Sequence, residues 1–520
     1  MARQKPMNES FRKNWKCLLA CTMISMCPFQ YGLDFGLIGG LQAMPGFLMV
    51  FGHRDPSLPL GWNLSHERQQ LISSLMTLGA FITSSTAGFS AVILSRRQCI
   101  WAASALCIVS NIVMMTTDNM AGLYSGRLLL GFANGYFMTF SQLYIQESSP
   151  ARFRGFLLAG FQFWTSFGSL IGTIVDNFTA KIMGREAYLI PLGIIYIVPV
   201  LMSIGIIFVP ESPRWLVQHG TMEKARASLL WLRPDKDAVD GELAEIKAAL
   251  EAEERMARGV GFLDCFRNPI DRRRTIVAVA GVSTQAASGA MFMIAYGTYF
   301  FEMAHVGNAF ENSCILNGVG VAAILINQAV VTHVGRRRVF LMIGMAICGF
   351  CQLIVAVVYD KEPGTVSTGK VIVGLGVLYI VGYNGMVSTY AWLTGGEIPS
   401  QRLRSYTFGM AASLGFLGAW LATFTAPYFI NPDSLDWGPR YGYIWFPSCM
   451  VTVVWIYFFL PEVKGRSLEE IDEMVSETLF ILCFLFCCSL RRNANGARNS
   501  SRRICRRASS ASTSASATCT

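Results

Sequence analysis

Charged side chains are scarce in this sequence. Asp, Glu, Lys and Arg together make up 15% of its residues, and 52% are hydrophobic, whereas soluble globular proteins carry about 25% charged residues. The deficit extends along the whole chain, which excludes a large soluble enzyme with a single membrane anchor. The formal net charge of +10 does not indicate nucleic-acid binding, because the basic residues form short clusters between apolar runs. The composition predicts a protein that crosses a lipid bilayer many times.

Signatures of several other protein classes are also missing. The 15 cysteines lie mostly in apolar runs or near the C-terminus, so we predict neither a disulfide framework nor a zinc site. The first apolar run has no small-x-small cleavage site and is too long for a signal peptide, so it is a predicted membrane span. The sequence contains no nucleophile–base set and no metal-ligand cluster. We therefore predict that the protein is not an enzyme and uses no cofactor.

Long apolar runs recur along the chain. A window of about 19 residues, matched to a bilayer core of about 30 Å, selects twelve of them. The predicted spans are residues 17–39, 71–93, 99–116, 121–145, 155–177, 187–209, 276–301, 313–333, 339–359, 371–395, 406–430 and 442–460. We therefore predict an all-α polytopic membrane protein with twelve transmembrane helices.

The basic loops predict the orientation of these spans. Clusters such as Arg96–Arg97 follow the even-numbered spans, on the same side as the N-terminus, and the positive-inside rule assigns that side to the cytosol. Both termini are then cytosolic, and we predict a multi-pass protein of the plasma membrane. The opposite loops contain two N-glycosylation sequons, at Asn63 and Asn177.

Sequence motifs recur in the two halves of the chain. ESSPARFRG (147–155) follows the fourth span and EIPSQRLRS (397–405) follows the tenth, while VPESPRWL (209–216) ends the sixth and LPEVKGRS (460–467) ends the twelfth. A duplicated six-helix unit is typical of transporters that bind substrate between their halves. The predicted organisation is a cytosolic N-terminus (1–16), an N-terminal six-helix bundle (17–209), a cytosolic linker (210–275), a C-terminal six-helix bundle (276–460) and a cytosolic tail (461–520).

The linker and the tail are polar over most of their length. VDGELAEIKAALEAEERMARG (239–259) predicts an amphipathic helix, which would be either a solvated bridge or a regulatory site. In the tail, TLFILCFLFCCSL (478–490) is too short to span a bilayer. Its cysteines and the arginines that follow suit a two-signal membrane anchor. An atypical terminus without a function is the alternative.

The motifs resemble those of the sugar porter family of the major facilitator superfamily, over nearly all of residues 10–475. The resemblance is carried by GRLLLGFANG (126–135), ESSPARFRG, PESPRWL (210–216), GRRR (335–338), EIPSQRLR (397–404) and PEVKGRSLEEIDEM (461–474). NPDSLDWGPRYGYIW (431–445) is similar to fungal sugar permeases of the hexose and α-glucoside types. The resemblance implies transport of a mono- or oligosaccharide by alternating access, and we expect a monomer.

Two opposite charges lie inside the predicted spans. They are Asp34 in span one and Arg127 in span four, and a charge in the bilayer core costs about 2.5–3.5 kcal/mol on insertion scales. Both lie roughly 9 Å below the outer boundary, because the two spans run in opposite directions. Matching depth and sign predict an ion pair, and the resemblance places the proton-coupling pair of sugar–proton symporters here. A fixed structural pair is the alternative.

Sugars present hydroxyl groups and apolar ring faces, which amide and aromatic side chains bind. The resemblance assigns hydroxyl binding to Gln162 in GFQFWTSFG and Gln285 in TQAASG, and ring packing to Trp392 in YAWLTGGEIP. Tyr296, one helical face along from Gln285, is a weaker candidate. The alternatives are helix–helix hydrogen bonds for the glutamines and core packing for Trp392.

This predicted sugar site departs from the family pattern. Ala286 and Met291 replace a second glutamine and an asparagine in span seven, and Ser388–Thr389 replaces a glycine–proline step in span ten. A site with fewer amides should discriminate hydroxyl groups less well. The substrate is then a di- or oligosaccharide, an unusual sugar or a less polar metabolite.

Charges at the cytosolic helix ends are candidates for a conformational latch. They are Glu147, Arg154, Glu397, Arg404 and Arg336. Exposed ion pairs contribute only about 0–1 kcal/mol each, so a latch requires a network, and ordinary solvated helix-end charges are the alternative. Val92 and Thr332 stand where the family carries an acidic residue, which predicts a weaker or differently wired latch.

Three functions remain open at this point. Proton-coupled sugar import is the leading hypothesis, with a sugar, protons and the lipid bilayer as partners. A facilitative carrier or an exporter of a non-sugar polyhydroxy metabolite shares the architecture. A sugar sensor that does not transport is the third, and the retained Asp34 and Arg127 argue against it.

Overall fold

The computed structural model describes residues 14–56, 61–233, 239–257, 261–303, 307–333, 337–363 and 365–462. Before the linker, the chain forms α1 (Trp15–Ser25), α2 (Cys27–Leu41), α3 (Pro45–Phe51), β1 (His53–Arg54), β2 (Trp62–Asn63), α4 (His66–Ile93), α5 (Arg96–Thr116), α6 (Met120–Ser148), α7 (Ala151–Thr179), α8 (Glu186–Ile194) and α9 (Ile197–Phe208). The linker contains α10 (Pro213–Gln218), α11 (Met222–Leu232), α12 (Val239–Ala257) and α13 (Asp264–Arg267). After it come α14 (Pro269–Ala287), α15 (Ala290–Met303), α16 (Ala309–His333), α17 (Arg337–Lys361), α18 (Val366–Gly382), a π-helix (Tyr383–Ser388), α19 (Thr389–Glu397), a 3₁₀ turn (Gln401–Leu403), α20 (Arg404–Ile430), a second 3₁₀ turn (Gly438–Tyr441) and α21 (Gly442–Phe459).

Nearly all of the predicted spans are long apolar helices. Ten helical stretches among the described residues are long and apolar enough to cross a membrane, and the bent stretch from Trp15 to Phe51 is an eleventh. Helix α6 is 29 residues long, which corresponds to about 43 Å, but it carries Arg127 and Asn134 and is less apolar. With α6, these stretches account for the predicted spans. The prediction of an all-α polytopic fold is confirmed.

Four of the spans are interrupted helices. The first passes from α1 to α2 at Met26, two residues before Pro28, which has no amide hydrogen to donate. The sixth consists of α8 and α9. The seventh breaks between α14 and α15 at Gly289, whose φ of +78° lies in the left-handed region that favours glycine. The tenth passes from α18 through the π-helix to α19, and π-helical turns are frequent at functional sites.

Helices α2 and α7 pack backbone to backbone. Gly32, Gly36 and Gly40 form a stripe at four-residue spacing on α2, and Gly168 and Gly172 form a second stripe on α7. A Cβ atom at Gly32 would lie 1.8 Å from a backbone carbonyl oxygen of α7, and one at Gly168 would lie 2.1 Å from a carbonyl oxygen of α2. Small residues at this spacing let transmembrane helices approach closely.

The two halves of the chain meet along three pairs of helices. Helix α2 packs against α15, α4 against α20, and α7 against α16. Across the α7–α16 contact, the Ser169 hydroxyl donates to Asn317 Oδ1 at 3.0 Å. We call the face where α2 ends the outer face, following the predicted topology, and the opposite face the inner face.

On the outer face, a hydrogen-bond cluster joins the two halves. Asn431, which follows α20, donates to the Leu64 carbonyl oxygen and to Gln69 Oε1 at 2.8 and 2.9 Å. Asn63 donates to Asn431 at 3.3 Å and is only 1% exposed. A glycan cannot occupy a buried amide, so this structure contradicts the predicted glycosylation of Asn63. Asn177, half-buried in the last turn of α7, stays a predicted site.

The linker contains the predicted amphipathic helix, α12. Its apolar residues Leu243, Ile246 and Leu250 pack against a small cluster formed by α10 and α11. At its start, Glu242 forms an ion pair with Arg233 at 2.6 Å, and Arg233 also donates to the Ser148 carbonyl oxygen at the end of α6. The linker helix is therefore docked against its neighbours. The tail from residue 463 onwards, with its predicted membrane anchor, lies outside the described residues.

Candidate functional site

Asp34 lies in the polar interior of the N-terminal bundle. Its side chain is fully buried on α2. The Gln30 amide, one turn earlier, donates to Oδ1 at 2.9 Å, and the Asn134 amide of α6 donates to Oδ2 at 2.6 Å. Hydrogen bonds to an ionised acceptor are short and strong. The two amides thus stabilise the carboxylate without neutralising its charge.

Arg127 lies on α6 near Asp34 but does not contact it. Its side chain is 1% exposed, and its Nε donates no hydrogen bond to a described residue. The guanidinium interacts with Asp34 through space. Both residues lie about seven residues, or roughly 10 Å, from the outer ends of their helices. The two residues lie at equal distances from the outer ends of their helices, and their depth in the bilayer stays a prediction. The predicted direct ion pair is not formed in this conformation, in which amide side chains donate to both carboxylate oxygens.

A third buried charge lies beside this pair. Asp176 on α7 is 1% exposed and interacts electrostatically with Arg127. From sequence alone it falls at the outer end of the fifth span, where water would solvate it. The signal that could have revealed it is its spacing, because Gly168, Gly172 and Asp176 share one face of α7. Arg127 is therefore within electrostatic range of two buried carboxyl groups rather than one.

The predicted sugar-binding glutamines lie on opposite halves. Gln162 is half-buried on α7 and makes no hydrogen bond to a described residue. Gln285, on α14, donates its amide hydrogen to the Ser388 carbonyl oxygen of the π-helix at 2.8 Å. Its Oε1 accepts no hydrogen bond from the described part of the chain, so it is available to a hydroxyl group.

Trp392 lies between the two halves. It is half-buried on α19, and its ring centroid is 6.4 Å from that of Phe161 on α7 and 6.1 Å from that of Phe408 on α20. Phe161 directly precedes Gln162. The aromatic contact therefore brings the predicted ring-packing residue and one predicted hydroxyl-binding residue into the same region.

Tyr296 does not belong to this region. It is fully buried on α15, and its hydroxyl donates to the Thr423 carbonyl oxygen of α20 at 2.8 Å. In this conformation the hydroxyl is thus bonded to a neighbouring helix, which favours a helix-packing role. Sugar binding by Tyr296 stays a prediction.

A narrow cavity between the halves contains an amide that no motif indicated. Helices α2, α7, α15 and α16 line it, and Asn317 reaches it from α16. Asn317 also donates to the Ser313 carbonyl oxygen at 3.0 Å. An isolated asparagine in an apolar helix is more often a helix-packing group than a ligand contact, so its sequence gave no functional signal.

On the inner face, Glu147 is the centre of a buried network. Arg96 donates from Nε and Nη2 to its two carboxylate oxygens at 3.1 and 2.8 Å, and the two side chains are only 7% and 5% exposed. The Ser212 hydroxyl also donates to Glu147. The network joins α5, α6 and the start of α10. Arg96, which the predicted latch did not include, is thus the partner of Glu147.

Each half also has, on the inner face, a glutamate that accepts backbone amides of the arginine cluster after its second span. Glu462 accepts the backbone amides of Arg337 and Arg338 at 3.2 and 3.1 Å. Its counterpart Glu211 accepts the backbone amide of Arg97 at 3.3 Å. The other predicted latch positions, Arg336 and the side chains of Arg154, Glu397 and Arg404, lie outside the described residues and stay predictions.

Residues 20–475 match a family model described as Sugar (and other) transporter. The chain belongs to this sugar transporter family. The predicted resemblance is thereby confirmed. As expected for that family, the chain is a multi-pass membrane protein with long apolar helices.

Two curated relatives illustrate the breadth of the family. The chain is 28% identical over 484 residues to the major facilitator-type transporter ecdD of Aspergillus rugulosus, an alignment that covers 89% of this chain and 88% of the relative. It is also 28% identical over 473 residues to the high glucose sensor RGT2 of Saccharomyces cerevisiae, covering 89% of this chain but 61% of the sensor.

The solved structures that resemble this sugar transporter family member share its fold. The inward-open structure of the xylose transporter XylE from E. coli superposes with a TM-score of 0.72 at 19% identity, covering 88% of this chain and 99% of XylE. The proton:xylose symporter XylE bound to 6-bromo-6-deoxy-D-glucose gives a TM-score of 0.70 at 20% identity, with coverage of 89% and 99%.

Proposed function

We propose that this member of the sugar transporter family is a proton-coupled sugar importer that works by alternating access. The observation that carries the proposal is the Asp34 site, a fully buried carboxylate held by two amides, with a buried guanidinium in electrostatic range. A buried carboxylate with no function would be an expensive element of a transmembrane helix.

Proton binding follows from the geometry of the two amides. Gln30 is on the same helix as Asp34, but Asn134 is on α6. A displacement of α2 relative to α6 breaks the Asn134 hydrogen bond and removes one stabiliser of the ionised form. The carboxylate then takes a proton from the outer water, so that no uncompensated charge passes through the closed site.

Sugar binding is coupled to this displacement through the helices at which the two halves meet. Gln285 offers a side-chain carbonyl oxygen that accepts no hydrogen bond from the described residues, and Trp392 offers an aromatic face. A sugar that contacts α14 and α19 from the C-terminal half and Gln162 from α7 draws the halves together. The α2–α15 contact then transmits the movement to the helix that carries Asp34.

The outer hydrogen-bond cluster supports alternating access. Asn431 links the C-terminal half to Leu64 and Gln69 of the N-terminal half, so the outer side is closed in this conformation. Opening to the outside requires these bonds to break and the inner face to close. In the same topology, both termini are cytosolic, and the protein resides in the plasma membrane as a monomer.

Radiolabelled uptake in cells that lack their own sugar transporters tests the proposal. D-glucose, D-xylose and maltose are the probes, each measured with and without a proton uncoupler. We expect one of them to accumulate above its outside concentration and the uncoupler to abolish accumulation. Asp34→Asn should abolish accumulation but keep exchange of labelled for unlabelled sugar across the membrane.

Other outcomes would identify the competing functions. Equilibration without accumulation in the unmodified protein would indicate a facilitative carrier. Sugar binding without any transport would indicate a sensor, a class to which the relative RGT2 belongs by its name. Undiminished accumulation in Asp34→Asn would refute the coupling role of Asp34.

A further inference from the structure

A short β-hairpin on the outer face carries two side chains of metal-binding type. Strands β1 and β2 pair antiparallel with His53 opposite Asn63, and the Asp55 backbone amide donates to the Gly61 carbonyl oxygen at 3.0 Å. Side chains of an extended segment alternate between two faces, so His53 and Asp55 project from one face and Arg54 from the other. The hairpin therefore presents an imidazole and a carboxylate side by side.

The C-terminal half supplies a second carboxylate, that of Asp433. The Oδ1 atom of the buried Asn431 accepts from the Asn63 amide at 3.3 Å and from the Asp433 backbone amide at 2.9 Å. One asparagine side chain thus ties the Asp433 loop to the strand that pairs with His53. As a result, His53 Nε2 lies 3.5 Å from Asp433 Oδ2.

Three possible ligand atoms converge at this point. One atom each from His53, Asp55 and Asp433 lies within 4.8 Å of the other two. Atoms that bind Zn²⁺ tetrahedrally at about 2.0–2.2 Å are about 3.3–3.6 Å apart, so side-chain movements of about 1 Å would complete the set. The side chains of His53 and Asp433 are 46% and 27% exposed. They can therefore make this movement, and an ion can reach them from the outer water.

The chemistry of the cluster favours one class of cation. Two carboxylates and a neutral imidazole, the form that binds metals, carry a charge of −2, which suits a dication. Exposed pairs of acids are common without any ion, and the imidazole is what distinguishes this cluster. Imidazole nitrogen together with carboxylate oxygen is typical of Zn²⁺ and related transition-metal ions, whereas Ca²⁺ and Mg²⁺ take oxygen ligands.

We propose that His53, Asp55 and Asp433 form a binding site for a divalent transition-metal ion, best matched by Zn²⁺, which bridges the two halves on the outer face. His53 Nε2 and one carboxylate oxygen of each aspartate are the protein ligands, and water takes the remaining position. The inference does not depend on the proposed transport function. No sequence motif indicated the site, because Asp433 comes from the other half of the chain.

The bridging position gives the ion a conformational effect. Two ligands belong to the N-terminal half and one to the C-terminal half, next to the Asn431 contacts that close the outer side. Opening of the outer side separates these ligands. A ligand shifts an equilibrium toward the state that it binds better, so the bound ion stabilises the closed conformation and slows any cycle that requires outward opening.

Zinc binding to the full-length protein, purified in detergent without a histidine tag, tests the site. Isothermal titration calorimetry with ZnCl₂ should show saturable binding to the unmodified protein. We expect His53→Ala and Asp433→Asn each to lower the affinity about tenfold or more, since loss of a group that merely supports a ligand already costs about 10–100-fold. A loss in both variants would show that both halves provide ligands. Their Tm without zinc should equal that of the unmodified protein, because both side chains are partly exposed.

Two variants are matched controls for the imidazole and for the charge. His66→Ala removes a histidine of the same face, whose ring packs against Tyr428. Asp436→Asn removes a carboxylate from the same loop as Asp433. Neither residue belongs to the cluster, so both variants should bind zinc like the unmodified protein. An equal concentration of Mg²⁺ should not compete, because Mg²⁺ prefers oxygen ligands and retains its waters.

The outcomes decide for or against the site. An affinity that falls in His53→Ala and Asp433→Asn but not in the two controls supports it. Absence of saturable zinc binding, or equal affinity in all four variants, would overturn it. External Zn²⁺ should also slow uptake of the transported probe sugar by the unmodified protein but not by His53→Ala. Unchanged uptake with zinc bound would overturn the bridging of the closed state, whereas absence of all uptake would refute the proposed function and leave the binding result standing.

Discussion

The two six-helix halves use the same scaffold but bury different polar groups in it. The N-terminal half buries three charges away from the inner face, Asp34, Arg127 and Asp176. In the described residues of the C-terminal half, the buried charges Asp271 and Arg274 lie in the first turns of α14. Deeper in that half the buried polar groups are amides and hydroxyls. Charge suits proton binding, and amides suit the recognition of hydroxyl groups.

The two halves also differ in where their membrane-spanning helices are interrupted. The first span bends at Met26, before Asp34, and keeps the acid inside the continuous helix α2. The C-terminal half instead has a left-handed glycine at Gly289 and a π-helix in the tenth span. The Ser388 carbonyl oxygen of that π-helix accepts from Gln285. The two halves therefore differ in where their helices break and in which polar groups they bury, without a change in architecture.

The largest expected effect concerns the inner networks of the two halves. Glu147→Ala leaves the buried Arg96 without its partner, which should destabilise the protein by about 3–5 kcal/mol. Glu462→Ala removes the acceptor of two backbone amides at a half-buried position. Water can replace that acceptor there, so we expect a loss of about 0.5–1.5 kcal/mol per hydrogen bond. Thermal unfolding in detergent should show a larger fall in Tm for Glu147→Ala. A larger fall for Glu462→Ala would reverse the ranking of the two halves.

A smaller effect is expected where the halves meet on the outer face. Asn431→Ala leaves the Gln69 side chain and the Leu64 carbonyl oxygen without their donor, at a cost of about 1–3 kcal/mol to the closed state. The outward-open state should become more populated. The half-buried Cys314 on α16 should then react faster with an impermeant maleimide added outside.

The control for this labelling is the same variant with Cys314→Ser. It should remove the additional labelling, since the other described cysteines are buried. An unchanged labelling rate in Asn431→Ala would mean that the outer cluster does not hold the two halves together.

The sugar site should respond separately from the proton site. Trp392→Ala removes an aromatic face between the halves and should raise KM for the transported sugar about tenfold, which corresponds to about 1.4 kcal/mol. Its proton dependence should stay that of the unmodified protein. Asp34→Asn should do the opposite, with sugar affinity in exchange assays kept and accumulation lost. If both variants altered both properties equally, the proposed separation of the sugar site from the proton site would be wrong.

The smallest effect is expected at Tyr296. Tyr296→Phe removes a hydroxyl that donates within the C-terminal bundle, so it should lower the free energy of unfolding by about 0.5–1.5 kcal/mol. KM for the sugar should not change, in contrast to Trp392→Ala. A raised KM in Tyr296→Phe with unchanged Tm would restore Tyr296 to the sugar site.

The sequence by itself determined the class of the protein. The polytopic fold was predicted from apolar runs of bilayer length, basic loops on one side and duplicated motifs. Hydropathy decides which segments enter the lipid and the positive charges decide their orientation, and both are properties of the local sequence. The same properties identified Asp34 and Arg127 and their common depth. That depth follows from the number of residues between each charge and the end of its span, because an α-helix rises 1.5 Å per residue.

Only the tertiary structure decided which groups meet. It placed Asn134 rather than Arg127 on the Asp34 carboxylate, buried Asp176 against Gly40, and paired Glu147 with Arg96. These contacts depend on how each helix is rotated about its axis and how closely its neighbours approach. That rotation is set by the packing of side chains from several helices at once, and one helix's own sequence does not contain it.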